Sequence, residues 1–304
     1  MSFGFDLKKE LAGLSPEKDL QQALAYGLFL FSRTFSPVSV SIQTESPYVL
    51  ELYCNLMRSI AAINPKINSS KPKRSVKRTY SAVVEPPECI QILELFHHHP
   101  EEIILRVHGE NVDSLAKIAC FFRGAYLACG SISDPVRGYH LEFSTPHQKL
   151  ARDLARLLEE LGIPPKLTQR KGSHILYLKE SENIEDLLTT MGAVHSSLEL
   201  MNIKIYKDLR NKANRVTNCE TANIEKTIVA ASIQAQDIQY ILQKRGIDFL
   251  PDELKEIALL RLDNPDLSLR ELGELLKEPI SRSGVNHRLK RLSKIAEELR
   301  EKEV

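Results

Sequence analysis

The sequence predicts an α+β protein in which a helix-strand-strand-helix-strand-strand-helix unit occurs twice, as a pseudo-dimer, and is followed by an all-α helix-turn-helix domain. Three observations carry this. A helical segment rich in small residues recurs, at residues 23–31 and at residues 120–129. Each copy leads, at nearly equal spacing, to a hydroxyl-proline pair suited to open a helix, Ser46-Pro47 and Thr145-Pro146. Beyond residue 250 the period shortens to three helices marked by cap signals. The expected divisions are 1–100 and 101–195 for the two repeats, 196–245 for a linker and connecting helix, and 246–304 for the helix-turn-helix domain.

Composition bounds the classes. In 304 residues, 41 Lys+Arg meet 40 Asp+Glu for a formal charge of +1, and 42% are hydrophobic. A wholly disordered, collagen-like or histone-like chain is excluded, and the length suits two or three domains with their own cores. Near-neutral net charge still permits local basic patches. No apolar run approaches the ~18 residues of a membrane helix, and residues 1–14 carry charges where a secretory signal would be apolar. The expectation is a soluble, cytoplasmic chain without a membrane partner. The cysteines number five and form no CxxC, which indicates neither a disulfide framework nor a zinc ribbon. His97, His98 and His99 are consecutive, so on a helix they point apart, and no thiol or carboxylate stands at ligand spacing; no metal and no cofactor are expected.

In the first unit residues 23–31 form the small and apolar helix, residues 38–45 supply strand material, and Ser46-Pro47 opens the next helix. Pro65-Lys66-Ile67 begins a strand, and Tyr80, Val83 and Val84 lie in the last one. The second unit is clearer. Residues 130–143 read as a hairpin turning at Asp134-Pro135 and Gly138. Thr145 is the expected N-cap of a helix whose apolar face is Leu150, Leu154, Leu157, Leu158 and Leu161, ended by Gly162. Strands at 166–170 and 174–178 turn at Lys171-Gly172, and residues 182–191 close the unit as a helix. Pro165-Lys166-Leu167 matches Pro65-Lys66-Ile67. The shared order and spacing argue for duplication about a pseudo-twofold axis.

Residues 196–223 read as a polar linker running into a helix at 224–243, in which Arg210, Lys212 and Arg215 either touch phosphates or solvate the connection. Residues 251–262 form a helix broken by Asn264-Pro265. Ser268 caps the next, Glu271 completes a capping box, and Leu269, Leu272, Leu275 and Leu276 face inward. Ser281 then begins a third helix through Leu292, with Val285, Leu289 and Leu292 as its apolar face. This is helix-turn-helix spacing, in which the third element enters the major groove. From Ser281 to Lys294 there is no acid. Ser281, Arg282, Ser283, Asn286 and His287 stand where side chains reach base edges, while Arg288, Lys290, Arg291 and Lys294 suit phosphates, as does Ser268. In the hairpin of the first unit, Lys71, Lys73, Arg74, Lys77 and Arg78, near Lys66, form a secondary basic run. Double-stranded DNA is the expected partner, and no small-molecule substrate is expected.

Phe122-Arg123-Gly124-Ala125-Tyr126-Leu127-Ala128-Cys129-Gly130 resembles the signature helix of LAGLIDADG homing endonucleases, and Ala25-Tyr26-Gly27-Leu28-Phe29-Leu30-Phe31-Ser32 resembles a decayed first copy. The resemblance implies paired helices between the halves, two sheets forming a saddle on DNA, and an acid near each helix end that binds Mg2+. Those two positions hold Ser32 and Cys129 here. A hard cation wants carboxylate oxygens, which neither a hydroxyl nor a thiol replaces, so no catalytic residue and no enzyme is expected. Asp134, beside Pro135, is a turn residue. Together with Asn218-Cys219-Glu220-Thr221-Ala222-Asn223 and Ile280-Ser281-Arg282-Ser283-Gly284-Val285-Asn286-His287-Arg288-Leu289, the chain resembles the bacterial WhiA family. That resemblance implies a nucleoid-associated, sequence-specific DNA-binding regulator of transcription, with other transcription or cell-division proteins as further partners, acting in sporulation or in cell division and chromosome segregation. The alternatives are an active Mg2+-dependent endonuclease and a non-enzymatic protein-docking scaffold at the nucleoid.

Overall fold

The computed structural model describes residues 2–70 and 78–302, which divide into two compact units, Met1–Lys207 and Asp208–Val304. In the first unit α1 (Phe3–Gly13) precedes two copies of one plan. The first runs α2 (Lys18–Leu30), β1 (Thr34–Ser36), β2 (Ser39–Thr44), α3 (Pro47–Ala61), β3 (Lys66–Ser70), β4 (Thr79–Val84) and α4 (Glu88–Leu95). The second runs α5 (Leu115–Cys129), β5 (Gly130–Ile132), β6 (Leu141–Thr145), α6 (Gln148–Glu160), β7 (Lys166–Arg170), β8 (Ser173–Leu178) and α7 (Ser181–Met191). Both sheets are antiparallel with the same strand order, β1-β2-β4-β3 and β5-β6-β8-β7. Register follows the pleat: Val40, Ile42, Ala82 and Val84 face the core on one sheet, and Leu141, Phe143, Leu176 and Leu178 on the other.

The helices α2 and α5 are the centre of the unit. Every residue from Ala23 to Leu30 is buried, as is every residue from Cys120 to Leu127. Helices that are apolar all round must be enclosed on all sides, and here the two enclose each other. A Cβ on Gly27 would lie 2.1 Å from the carbonyl oxygen of Phe121, and one on Gly124 would lie 2.1 Å from that of Leu24. The glycines therefore let backbone meet backbone.

Two helix starts differ from expectation by one physical cause. Thr145 stays in β6, paired with His174, and its hydroxyl accepts from the backbone N–H of His147 at 3.2 Å; α6 starts at Gln148 with His147 as N-cap. In the first repeat Ser46 does sit at the N-cap of α3, but its hydroxyl makes no capping bond, and Thr44 Oγ1 accepts from its N–H at 3.1 Å. In both repeats the last strand threonine closes the turn. At the Lys171-Gly172 hairpin both residues are left-handed (φ 49° and 81°), the twist a two-residue turn requires.

The segment between the repeats is fixed on both sides. His97 adopts φ 66° after α4, while His97 N–H and His98 N–H bond back to Glu94 O and Leu93 O at 3.0 and 2.9 Å, a Schellman ending usually built with glycine. Toward α2, Tyr26 Oη accepts the His108 backbone N–H at 2.9 Å. Toward α6, the Asp153 carboxylate accepts two bonds of 2.7 Å from Arg106 and one of 3.0 Å from Val107 N–H. Burial pushes the Asp153 carboxyl up, but these donors outweigh it and hold it below the ordinary aspartate value. A depressed folded-state value means stabilisation that is present above the unfolded value of about 4 and lost as pH falls through the folded one. Asp153→Asn should therefore cost roughly 2 kcal/mol in urea unfolding at pH 7, with the difference from the parent shrinking below about pH 4. A penalty of equal size at both pH values would refute the charge-assisted role.

From Val194 to Arg245 the chain is one 52-residue helix, α8. The polar composition favours a linker over 196–223, yet the segment contains neither glycine nor proline, and Gly246, at φ 75°, supplies the stop. No described helix is long and apolar enough to cross a membrane. In the second unit, α9 (Asp252–Asp263), α10 (Leu269–Glu274) and α11 (Arg282–Glu301) gather a core of Leu254, Ile257, Leu272, Val285, Leu289 and Leu292, joined by Ile238 and Ile241. Leu276 is buried and Leu269 partly so, but Leu275 is exposed, because α10 ends at Glu274 and the helical phase that would have turned Leu275 inward ends with it.

Candidate nucleic-acid interface

The recognition element is α11. Ser281 caps it, its hydroxyl accepting from Gly284 N–H at 3.3 Å and contacting Ser283 Oγ at 2.8 Å. Behind it, Gly273 permits the tight turn: a Cβ there would stand 2.4 Å from Ile280 O. Ser268 forms a complete capping box with Glu271 on α10, so its oxygen is engaged while its O–H remains able to donate. The buried Arg261 donates to Leu267 O at 2.8 Å, fixing the loop just before that cap.

With Val285, Leu289 and Leu292 buried in the core, the rest of the first turns of α11 carries exposed Arg282, Ser283, His287 and Lys290, with Asn286 and Arg288 partly exposed on either flank of the apolar stripe. Arg282, Arg288 and Lys290 have no acidic partner among the described residues. Arg291 instead pairs with Glu253 on α9, and Lys294 lies 4.0 Å from Glu298, which ties both more to the helical unit than to a ligand. Arg282 and Asn286 share a cleft of about 650 Å³ with Ser268, Lys226, Arg261 and Arg270, and no carboxylate lines it. Lys226 and Arg270 carry no signal in the sequence because they lie on other helices, and only the fold brings them to the start of α11. Arg210, Lys212 and Arg215 are exposed on α8. Arg78 is exposed, whereas Lys71, Lys73, Arg74 and Lys77 lie outside the described residues.

In the first unit the faces of the two sheets away from the core carry Thr34, Gln43, Asn68 and Ser81, and Ser144 and Thr168. Among the described strand residues the cations are Lys66, Lys166 and Arg170, and Lys66 pairs with Glu85 at 2.5 Å. The saddle is thus rich in hydroxyl and amide groups and poor in charge. At the helix ends Ser32 donates to Leu28 O at 2.5 Å, and burial pushes the Cys129 thiol up to about 12, against the opposing effect of Lys8. A neutral thiol is no ligand for Mg2+. The cleft over these positions, about 510 Å³, contains one carboxylate among its lining residues, Glu45. Below it, Lys8 from α1 donates to Leu127 O at 3.3 Å and lies 5.7 Å from the centre of the Tyr126 ring. Asp134 is a turn residue, accepting Val136 N–H at 3.0 Å.

Comparison with known proteins gives a consistent picture. Residues 118–210 match the family model described as the WhiA LAGLIDADG-like domain, and residues 213–296 match that of the WhiA C-terminal HTH domain. A protein of Thermoanaerobacter pseudethanolicus named "Probable cell division protein WhiA" is 36% identical over 320 residues, covering 100% of both chains. One of the same name from Clostridium perfringens is 40% identical over 312 residues, covering 99% of each. The crystal structure of full-length WhiA from Thermatoga maritima is similar in fold, with a TM-score of 0.61 at 23% identity over 98% of this chain and 99% of that one.

Proposed function

The chain belongs to the WhiA family, and from that premise we propose that it is a sequence-specific DNA-binding regulator whose α11 reads bases, serving cell division and chromosome segregation or sporulation. The observation that carries this reading is the start of α11. There, Arg282 and Lys290, without an acidic partner among the described residues, flank Asn286 at helical spacing, and the cleft that Arg282 and Asn286 line holds further cations and no acid. Arg suits guanine and Asn suits adenine in the major groove, while Arg288 and Lys290 are placed for phosphates. The first unit is a catalytically silent scaffold: Ser32 and Cys129 cannot replace carboxylates on a hard cation, and its sheet faces, where hydroxyls and amides outnumber charges among the described residues, suit a positioning or protein-docking role. The chain acts in the cytoplasm, on the nucleoid.

The test is salt-titrated binding of fluorescent genomic DNA fragments to the full chain, with Mg2+ present and the DNA recovered afterwards. The parent should show a steep salt dependence, and Arg288→Ala with Lys290→Ala should lower its slope by about one for each phosphate no longer neutralised. The recovered DNA should be intact. An unchanged slope would separate these residues from the phosphates, and cut DNA would overturn the reading of Ser32 and Cys129.

A further inference from the structure

Outside the DNA-binding element, the connection between the two repeats gathers two imidazoles and a carboxylate. His98 Nδ1 lies 2.7 Å from Glu102 Oε2, and His108 Nε2 lies 3.3 Å from Glu102 Oε1. One ligand atom from each of the three residues falls within 4.8 Å of the others. Spacing along the chain hides this. His97, His98 and His99 do point apart, but the Schellman ending of α4 turns His98 alone into the core, where its side chain is fully buried. Glu102, four residues on, and His108, across the loop, converge on it from the solvent side, each with about a quarter of its side chain exposed.

We propose that His98, Glu102 and His108 form a binding site for one borderline divalent transition ion of the zinc class, which clamps the connection between the repeats onto α2. The donor set is the argument. Two imidazole nitrogens and one carboxylate oxygen suit Zn2+ or Co2+ and do not suit Mg2+ or Ca2+, which prefer oxygen alone. A tetrahedral ion with bonds near 2.1 Å needs ligand atoms about 3.4 Å apart, so the group lies within small side-chain rotations of that arrangement. The outer contacts also fit. With Nδ1 on the metal, the remaining His98 N–H, at Nε2, meets Tyr26 Oη at 3.0 Å, and Tyr26 in turn has Arg106 O at 3.4 Å as its acceptor; this is the second hydrogen bond that metal-bound histidines usually make. The site is independent of the DNA-binding reading, since it lies on neither α11 nor the sheet faces.

The test titrates the EDTA-stripped full chain with Co2+ alone, following the visible ligand-field absorption and thermal unfolding, with Zn2+ and Mg2+ as competitors. The expected result is one Co2+ per chain, displaced by Zn2+ but not by millimolar Mg2+, with a raised unfolding temperature. His108→Ala and Glu102→Gln, at partly exposed positions that leave the backbone bonds in place, should each weaken binding at least 10-fold, given that even outer-shell losses cost about 10–100-fold. His99→Ala and Cys219→Ser, both exposed alternatives, should bind as the parent does. The proposal is overturned if the parent takes up no stoichiometric Co2+, if Mg2+ displaces it, or if His108→Ala binds as tightly as His99→Ala.

Discussion

Replacing Gly124 with valine should unfold the first unit. A Cβ at this position meets Leu24 O at 2.1 Å and Leu28 N at 2.6 Å, both backbone atoms of the opposing helix, and a helix backbone cannot swing aside as a side-chain tip can. The two helices would have to separate, and with them every side chain of α2 and α5 that is packed at zero exposure. Losses of this kind exceed about 4 kcal/mol, a large share of the 5–15 kcal/mol that typically holds a domain together. Gly124→Ala already carries the clash and should shift the urea midpoint strongly. Gly138→Ala, where an added Cβ meets nothing within 4 Å, should not. Equal midpoints for the two alanine variants would show that the close approach of the helices is not what binds the repeats.

The second large effect is expected at the start of α11. Arg282→Ala with Asn286→Ala should abolish sequence discrimination while leaving the helical unit folded, because Arg282 is exposed and Asn286 partly exposed, whereas the core positions of α11 are Val285, Leu289 and Leu292. Each bidentate base contact is worth about 1–3 kcal/mol of discrimination, so the pair should reduce preference for a specific site over random DNA by about a hundredfold or more. Competition binding at fixed salt measures this directly. A variant that weakens equally on specific and random DNA would move these residues from base edges to phosphates.

How far the sequence can be read depends on whether each signal is local. The capping box of Ser268 and Glu271, the Lys171-Gly172 turn and the glycine that ends α6 depend on a few neighbouring residues, and all three are legible. So is the duplication, since equal spacing of Ser46-Pro47 and Thr145-Pro146 reflects equal strand order. Elsewhere another force decides. The ending of α4 uses a histidine in the conformation that glycine usually takes, so nothing in the composition marks it. The span 196–223 resembles a linker by polarity, although its lack of glycine and proline favours a helix. The engagement of Arg291 by Glu253, and the arrival of Lys226 and Arg270 beside Arg282, depend on contacts between helices that no local pattern encodes.

Lys8 gives the cleft over Cys129 an electrostatic consequence. Beside Cys129 the chain holds an ammonium from α1, which burial pulls below the ordinary lysine value and Cys129 and Glu45 pull back up. A carboxylate introduced as Cys129→Asp would meet that ammonium first, so the new side chain would gain a salt-bridge partner in place of an open position for a cation.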